Sequence, residues 1–166
     1  LQALYQLHQL NVDFIFHCIG NINENLKKKI ESESIYKELE HKIKFYGPLP
    51  IYEAYKIADN CKVGVSILKP IENYIHSYST KIFEYMSIGL PVVASNFELY
   101  EKIITQHKTG ICVNPLAPND VANAINFIFS NKQKAAEMGK NGNIISRNEF
   151  NWKNEEKKLI DFYKNI

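Results

Sequence analysis

The sequence predicts an α/β fold, a doubly wound parallel sheet with helices on both of its faces. The first observation is that short apolar runs alternate with helical patterns along the whole chain. The second is that residues 91–95 are apolar without alternation, which is typical of a parallel strand buried on both faces. The third is that turn and helix-stop residues (Gly20, Gly47-Pro48 and Gly89) separate these segments.

Each predicted strand is a short apolar run. In chain order the strands cover residues 12–19, 42–46, 62–68, 91–95 and 110–113. The other segments carry apolar residues at helical spacing among Lys and Glu, which predicts helices with one solvated face. In chain order the helices cover residues 1–10, 22–40, 51–59, 80–88, 98–105, 119–130, 133–145 and 152–166. In this prediction residues 69–79 form a long polar connection.

The first predicted element is an amphipathic helix at residues 1–10. A parallel sheet of this kind usually opens with a strand that leads into its first helix. We therefore expect that the first strand and its loop are missing, and that the chain is a fragment beginning inside a helix.

Composition excludes several classes of protein. Lys and Arg number 20 and Asp and Glu 18, so a net charge of +2 argues against a strongly basic nucleic-acid module. Arg147 is the one arginine, so a bound phosphate must be held mainly by lysine, backbone N–H groups or a helix end. No apolar stretch reaches the roughly 20 residues that span a bilayer. The first ten residues lack the basic region of a signal peptide.

Cysteine and histidine usage predicts neither disulfides nor a metal site. Cys18, Cys61 and Cys112 each lie in an apolar run that indicates a strand, where a buried small hydrophobe in a reducing compartment is the expected role. The histidines pair with no cysteine at the spacing of zinc ligands, so no metal site is predicted.

The most informative segment is the polar connection that leads into the helix predicted at residues 80–88. Ser79 and Thr80 would open this helix, whose free N–H groups and positive dipole end favour an anion. Lys81 follows in the first turn, where a cation opposes the dipole by about 0.3–1 kcal/mol unless an anion is bound there. The alternative is an ordinary Ser/Thr cap with Lys81 pointing into solvent.

Glu84 lies one helical turn further along, between apolar Phe83 and Met86. A carboxylate at this distance from a phosphate site suits hydrogen bonds to vicinal hydroxyls such as a ribose diol. The alternative is a solvated surface glutamate.

Four segments in order resemble the family 4 retaining glycosyltransferases, which have the GT-B fold. Residues 79–95, Ser-Thr-Lys-Ile-Phe-Glu-Tyr-Met-Ser-Ile-Gly-Leu-Pro-Val-Val-Ala-Ser, resemble the family's S-x-K-I-x-E-Y-M-A-x-G-x-P-V-V-A segment. Residues 45–47 resemble its F-x-G strand end, residues 101–115 its E-x-I and T-G-x-x-V-x-P segments, and residues 121–125 its L-A-x-A-I helix. The resemblance covers residues 12–150 and implies the Rossmann-like C-terminal half of the GT-B fold.

The resemblance implies roles for particular residues. The family's ribose-binding glutamate corresponds to Glu84. The family's diphosphate-binding helix start corresponds to Ser79, Thr80 and Lys81. Its base-lining segment corresponds to Gly47, Pro48 and Leu49, and its sugar-contacting segment to His76, Ser77 and Tyr78. His76 stands where many members have an acidic residue, with Glu72 a nearby alternative. The family's Gly-Arg and Lys-Gly phosphate motif would precede Leu1, and its catalytic histidine belongs to an N-terminal domain.

The implied function is donor binding in an enzyme that transfers a sugar from a nucleotide-diphosphate sugar to a glycan or lipid-linked acceptor. The donor would be UDP- or GDP-linked, with no cofactor and no nucleic-acid partner. Residues 1–150 would be the nucleotide-sugar-binding domain, inactive alone, and residues 151–166 a helix that crosses to the N-terminal domain or packs on its own sheet. The expected location is the cytoplasm, with the full-length enzyme at the inner face of the cell membrane. A non-catalytic α/β nucleotide-binding or interaction module and a sugar-nucleotide epimerase domain are the alternatives.

Overall fold

The computed structural model describes residues 1–165, in which parallel strands alternate with helices. This confirms the predicted α/β class. The strands are β1 (Phe16–Ile19), β2 (Ile43–Gly47), β3 (Gly64–Ser66), β4 (Val92–Ser95) and β5 (Gly110–Val113). The helices are α1 (Gln2–Gln9), α2 (Glu24–Ser32), α3 (Ser34–Leu39), α4 (Ile51–Ala58), α5 (Glu72–Ile75), α6 (Thr80–Ser87), α7 (Glu98–Ile104), α8 (Pro118–Ser130), α9 (Lys132–Asn148) and α10 (Trp152–Lys164). Ile166, the last residue of the predicted final helix, lies outside the described residues.

Contacts divide the chain into two compact units. The first comprises Leu1–Cys61 and Ala117–Asn126, and the second comprises Lys62–Leu116 and Phe127–Ile166. The first unit contains a parallel pair of strands, β1 and β2, in which Phe16 stands opposite Ile43. Its register shifts after Cys18, so that Ile19 faces Gly47. The Gly20 N–H donates to the Gly47 carbonyl at 2.8 Å and extends the pairing by one bond.

The second unit is built on a three-stranded parallel sheet in the order β3-β4-β5. The central strand β4 is buried at every position, as its uniformly apolar sequence predicts. Helix α6 connects β3 to β4, and α7 connects β4 to β5. A helix between two parallel strands runs against them, so α6 and α7 both begin at the carboxyl edge of this sheet. Ligands of open α/β sheets bind at that edge.

Helix α6 packs on this sheet and on α9. Its buried residues, Ile82 and Met86, join Val92, Ala94 and Tyr100 in one apolar cluster. On its other side α9 approaches closely through glycine. A Cβ on Gly139 would lie 2.1 Å from the Gly89 carbonyl oxygen, which only glycine avoids. The Asn143 side-chain amide also donates to the Ser87 carbonyl at 2.6 Å and so ties α9 to the end of α6.

Several predicted elements have different boundaries in the structure; the strand predicted at residues 12–19, for example, is the shorter β1 (Phe16–Ile19). The predicted single helix at residues 22–40 is two helices, α2 and α3, because Glu33 has an extended backbone with ψ of 134°. The neighbouring Ser32 hydroxyl donates to the Lys29 carbonyl at 2.8 Å, a local bond that competes with helix continuation. The predicted polar connection at residues 69–79 contains one short helix, α5.

The cysteines are free and half-buried. Cys18 and Cys112 lie in β1 and β5, but Cys61 lies between α4 and β3 and not in the strand that was predicted for it. The observed strand β3 is shorter than the strand predicted at residues 62–68, because residues 62–63 and 67–68 lie outside the pairing with β4. Burial raises the pKa of the Cys112 thiol to about 11, so this side chain is uncharged at neutral pH.

Candidate functional site

The candidate site lies at the start of α6, on the carboxyl edge of the β3-β4-β5 sheet. Two serine side chains fix the chain segments around it. Ser95, the last residue of β4, accepts from the Leu68 N–H at 2.8 Å and donates to the Leu68 carbonyl at 2.9 Å. Ser66, the last residue of β3, donates to the Ser79 hydroxyl at 3.0 Å. The connection from β3 to α6 is therefore held to the sheet at both of its ends.

Ser79 occupies the cap position of α6 but does not cap the helix. The sequence predicts a Ser/Thr cap here, yet the Ser79 hydroxyl bonds to Ser66 and makes no bond to the N–H groups of the first turn. Asn23 and Asn151, by contrast, accept from the N–H groups that open α2 and α10. The first turn of α6 consequently has no side-chain acceptor from its cap residue, and its N–H groups can bind an anion.

The opening turn of α6 faces solvent. Thr80 and Lys81 are both exposed. Among residues 1–165 no carboxylate forms an ion pair with Lys81. The Lys81 ammonium and the free N–H groups of the same turn form a positively charged surface. A bound anion would offset the unfavourable placement of Lys81 at the positive end of the helix dipole.

Glu84 lies four residues after Thr80, and side chains at this spacing share one face of a helix. It is half-buried. Within the described part of the chain its carboxylate has neither a hydrogen-bond donor nor an ion-pair partner. The backbone here is well supported, since the Ser87 hydroxyl donates to the Glu84 carbonyl at 2.7 Å. A carboxylate with unused acceptor oxygens can bind a pair of ligand hydroxyls.

The three residues ahead of Ser79 are exposed. His76 ends the short helix α5, and the Ser77 hydroxyl donates to the Asn73 carbonyl at 2.5 Å. The Tyr78 ring stands edge-on to Phe83 of α6, with 5.9 Å between the ring centroids. The structure therefore brings His76, Ser77 and Tyr78 to the same end of α6 as Thr80 and Lys81.

The Gly47–Leu49 segment belongs to the first unit, where it directly follows β2. Gly47 has a φ of +69°, a conformation that favours glycine. Pro48 is exposed and Leu49 is half-buried, and Pro50 precedes α4 as its cap residue. This arrangement makes a tight turn between strand and helix.

The sequence reasoning missed two features near the start of α7. The exposed Lys102 ammonium donates to the Glu98 carboxylate at 2.6 Å. This bond and the Lys102 charge lower the pKa of Glu98, and the charge of His76 lowers it by a smaller amount. The four-residue Glu-to-Lys spacing could have indicated the pair. The second feature is Tyr100, which is fully buried, and no sequence pattern distinguishes it from an ordinary core tyrosine.

Residues 1–165 contain neither a cluster of metal-ligating side chains nor a membrane-spanning helix. No group of three or more His, Cys, Asp or Glu side chains there could hold a metal ion. No helix in this part of the chain is long and apolar enough to cross a membrane.

The family model for glycosyl transferases group 1 matches residues 1–144. The chain therefore belongs to this family, as the resemblance of its motifs predicts.

Two curated proteins are similar to this chain. Spore coat protein SA of Bacillus subtilis (strain 168) is 23% identical over 171 residues, which cover 98% of this chain and 44% of that protein. An uncharacterised glycosyltransferase of Methanocaldococcus jannaschii is 26% identical over 109 residues, which cover 62% of this chain and 27% of that protein. The chain thus spans less than half the length of either protein.

Solved structures share the fold. HepE from Anabaena, crystallised in complex with UDP, superimposes with a TM-score of 0.83 at 19% identity and covers 99% of this chain and 43% of that one. Sucrose-phosphate synthase from Thermosynechococcus elongatus gives a TM-score of 0.81 at 22% identity, over 99% of this chain and 41% of that one. These matches confirm the Rossmann-like half of the GT-B fold.

Proposed function

We propose that this chain is the donor-binding domain of a retaining glycosyltransferase. The intact enzyme would transfer a sugar from a nucleotide-diphosphate sugar to a glycan or lipid-linked acceptor. The observation that carries the proposal is the opening turn of α6, where exposed Thr80 and Lys81 adjoin a helix start that Ser79 does not cap. Membership of the glycosyl transferases group 1 family and a fold neighbour that was solved with UDP support it.

The diphosphate of the donor would bind at the start of α6. The free N–H groups of the first turn and the Lys81 ammonium would hold its oxygens. During transfer, negative charge builds up on the diphosphate as the bond to the sugar breaks. Hydrogen-bond donors of the protein that are already in place stabilise that charge without reorganisation. This is the main electrostatic contribution that the chain can make.

The nucleoside and the sugar of the donor would be recognised by residues other than those that bind the diphosphate. Glu84 would accept hydrogen bonds from the two ribose hydroxyls with its free carboxylate oxygens. The turn at Gly47, Pro48 and Leu49 would contact the base through its backbone groups, and His76, Ser77 and Tyr78 would contact the sugar. The donor is a substrate in this proposal, and no cofactor is part of it.

The remaining parts of the proposal concern the full-length enzyme. Five large apolar or aromatic side chains of α10 are about half or more exposed: Trp152, Leu159, Ile160, Phe162 and Tyr163. We propose that in the full-length enzyme α10 packs on an N-terminal domain, and that this domain contributes the catalytic residues. We also propose that the full-length enzyme acts in polysaccharide biosynthesis on a glycan or lipid-linked acceptor. It would work in the cytoplasm, attached peripherally to the membrane.

Titration of the isotope-labelled chain with UDP and GDP, followed by amide NMR, tests the donor site. We expect saturable shifts at Ser79, Thr80, Lys81 and Glu84 and at Gly47, with one nucleotide binding more tightly than the other. Uridine and guanosine serve as controls and should bind far more weakly, because they lack the diphosphate. Absence of any response at millimolar nucleotide would contradict the proposal and favour a non-catalytic module.

A further inference from the structure

The first unit carries a surface pocket that shares no residue with the proposed donor site. Its volume is about 540 Å³, within the range of about 300–1,000 Å³ that is typical of ligand pockets. Three helices form it: α1 contributes Gln2, Tyr5 and Gln6, α3 contributes Ile35, and the segment that opens α8 contributes residues 117–120. All of these residues belong to the first unit, so the pocket is complete within it.

Five polar side chains line the pocket and are not used by the fold. They are Gln2, Tyr5, Gln6, Asn119 and Asp120. Within residues 1–165 none of these side chains forms a hydrogen bond or an ion pair. A ligand with several hydroxyl groups could therefore bond to them without breaking a bond of the protein itself.

The pocket also has a half-buried apolar surface. Ile35 and Pro118 are half-buried, as is the Tyr5 side chain, whereas Asn119 and Asp120 are exposed. Tyrosine combines an apolar ring with a polar hydroxyl at its tip. A pyranose ring has the same character, because its C–H groups form an apolar face and its hydroxyls lie around the edge. Apolar walls with a few polar groups are typical of small-molecule sites.

The charge of the pocket decides between classes of ligand. Asp120 is the one charged side chain among the described residues that line it, and none of them is Lys, Arg or His. A phosphate or a carboxylate would be repelled by Asp120 and would find no side-chain cation in the lining. A neutral sugar can instead donate two vicinal hydroxyls to the Asp120 oxygens, and the amides of Gln2, Gln6 and Asn119 can both donate and accept.

We propose that this pocket binds a neutral oligosaccharide. Asp120 and the amides hold its hydroxyls, and the apolar face of one sugar ring packs on Tyr5 and Pro118. The binding site stands independently of the proposed donor site. In the proposed enzyme the bound oligosaccharide is the glycan acceptor, held by residues that do not contact the donor, and this role alone rests on the proposed function.

NMR titration of the isotope-labelled chain with maltotetraose, cellotetraose and chitotetraose tests the site. We expect saturable shifts of the side-chain NH₂ groups of Gln2, Gln6 and Asn119 with at least one of these oligosaccharides. Tetragalacturonate is the anionic comparison and should bind about fivefold more weakly than the best neutral one, because its carboxylates face Asp120. Asp120→Asn should remove this difference.

Two pairs of variants locate the bound oligosaccharide. Asn119→Ala should weaken its affinity about three- to tenfold, the effect of one lost hydrogen bond. Asn123→Ala is the matched control, because Asn123 is exposed on the same helix and does not line the pocket. Gln6→Ala and Gln9→Ala form the corresponding pair on α1. Should Gln6→Ala fail to fold, the pair on α8 decides, since Asn119 is exposed.

Each result supports or overturns the proposal. No saturable shift with any of the three neutral oligosaccharides at millimolar concentration overturns it, and so does tighter binding of tetragalacturonate. Equal affinities of Asn119→Ala and Asn123→Ala overturn it as well, as do shifts confined to Glu84 and the start of α6, which would assign the sugar to the donor site. If the chain binds an oligosaccharide at the pocket but neither UDP nor GDP, the pocket stands and the proposed donor function fails.

Discussion

Ser66 and Ser79 join the end of β3 to the start of α6 through a hydrogen bond of 3.0 Å between their hydroxyl oxygens. This bond turns the Ser79 side chain towards the sheet and away from the helix that it precedes. A serine at this position would otherwise accept from an N–H of the first turn. The sheet thus keeps the helix start open for a ligand.

Ser66→Ala should reduce nucleotide affinity although Ser66 does not contact the proposed ligand. Without its partner, the Ser79 hydroxyl is free to cap α6 and competes with the phosphate for the same N–H groups. We expect about a fivefold weaker affinity for UDP, from a competing cap bond of roughly 1 kcal/mol.

Ser79→Ala is the matched variant, because it breaks the same bond but leaves no hydroxyl to cap the helix. It should lose about 0.5–1.5 kcal/mol of unfolding free energy and keep the affinity for UDP. Ser66→Ala should lose less unfolding free energy, because in this variant the freed Ser79 hydroxyl caps α6 and compensates for the lost bond. Calorimetric titration and urea denaturation measure both quantities. Equal affinities in the two variants would show that Ser66 does not control the helix start.

Glu84→Gln should weaken nucleotide binding without destabilising the chain. The carboxylate has no partner among the described residues, so the unfolding free energy should change by less than about 0.5 kcal/mol. The neutral amide is a weaker acceptor for two hydroxyls, and we expect the affinity for UDP to fall about tenfold. Glu156→Gln, on the exposed surface of α10, is the control. An unchanged affinity would remove Glu84 from the proposed ribose site.

Gly139→Ala should destabilise the second unit more than Gly142→Ala. Both glycines lie in α9 against α6, and in both variants alanine favours the helix by about 0.5–1 kcal/mol. A Cβ at position 139 would meet the Gly89 carbonyl oxygen at 2.1 Å, whereas one at position 142 would lie 3.2 Å from the Met86 Cα. We expect losses of about 2–3 kcal/mol and under about 1 kcal/mol respectively. Urea denaturation followed by circular dichroism gives both, and similar values would contradict the close packing.

The stability of the chain should fall in mild acid partly because of His17. Its Nδ1 lies 2.8 Å from the Tyr46 hydroxyl, which can donate to the neutral ring. Burial, and secondly the Lys44 charge, lower the pKa of His17 below its ordinary value of 6.5. As the pH falls below 6.5, the unfolded chain binds a proton at this side chain more readily than the folded chain does. The unfolding free energy should therefore decrease from pH 6.5 down to the lowered pKa.

His17→Gln tests this assignment by urea denaturation at several pH values. The variant should have a shallower decrease in unfolding free energy below pH 6.5, because its residue 17 does not titrate. The other histidines are common to both proteins and act as an internal control. Parallel curves would exclude His17 as a source of the acid sensitivity.

The sequence alone determined the order of the five strands and the family. The uniformly apolar segment at residues 91–95 predicts a central parallel strand, and this strand is β4. Gly89 marked the end of α6, and its φ of +76° is one that glycine adopts without strain. These signals are local, because each depends on a few neighbouring residues and on elementary backbone sterics.

Tertiary structure alone decided what the side chains at the site do. Local pattern predicts that Ser79 caps α6, but Ser66, thirteen residues earlier, holds its hydroxyl elsewhere. Tyr100 has the sequence pattern of an ordinary core residue, and only the tertiary packing leaves its hydroxyl buried without a hydrogen-bond partner among the described residues. A hydrogen bond depends on distances and angles between atoms far apart in the chain, and the sheet fixes those distances only after it has formed.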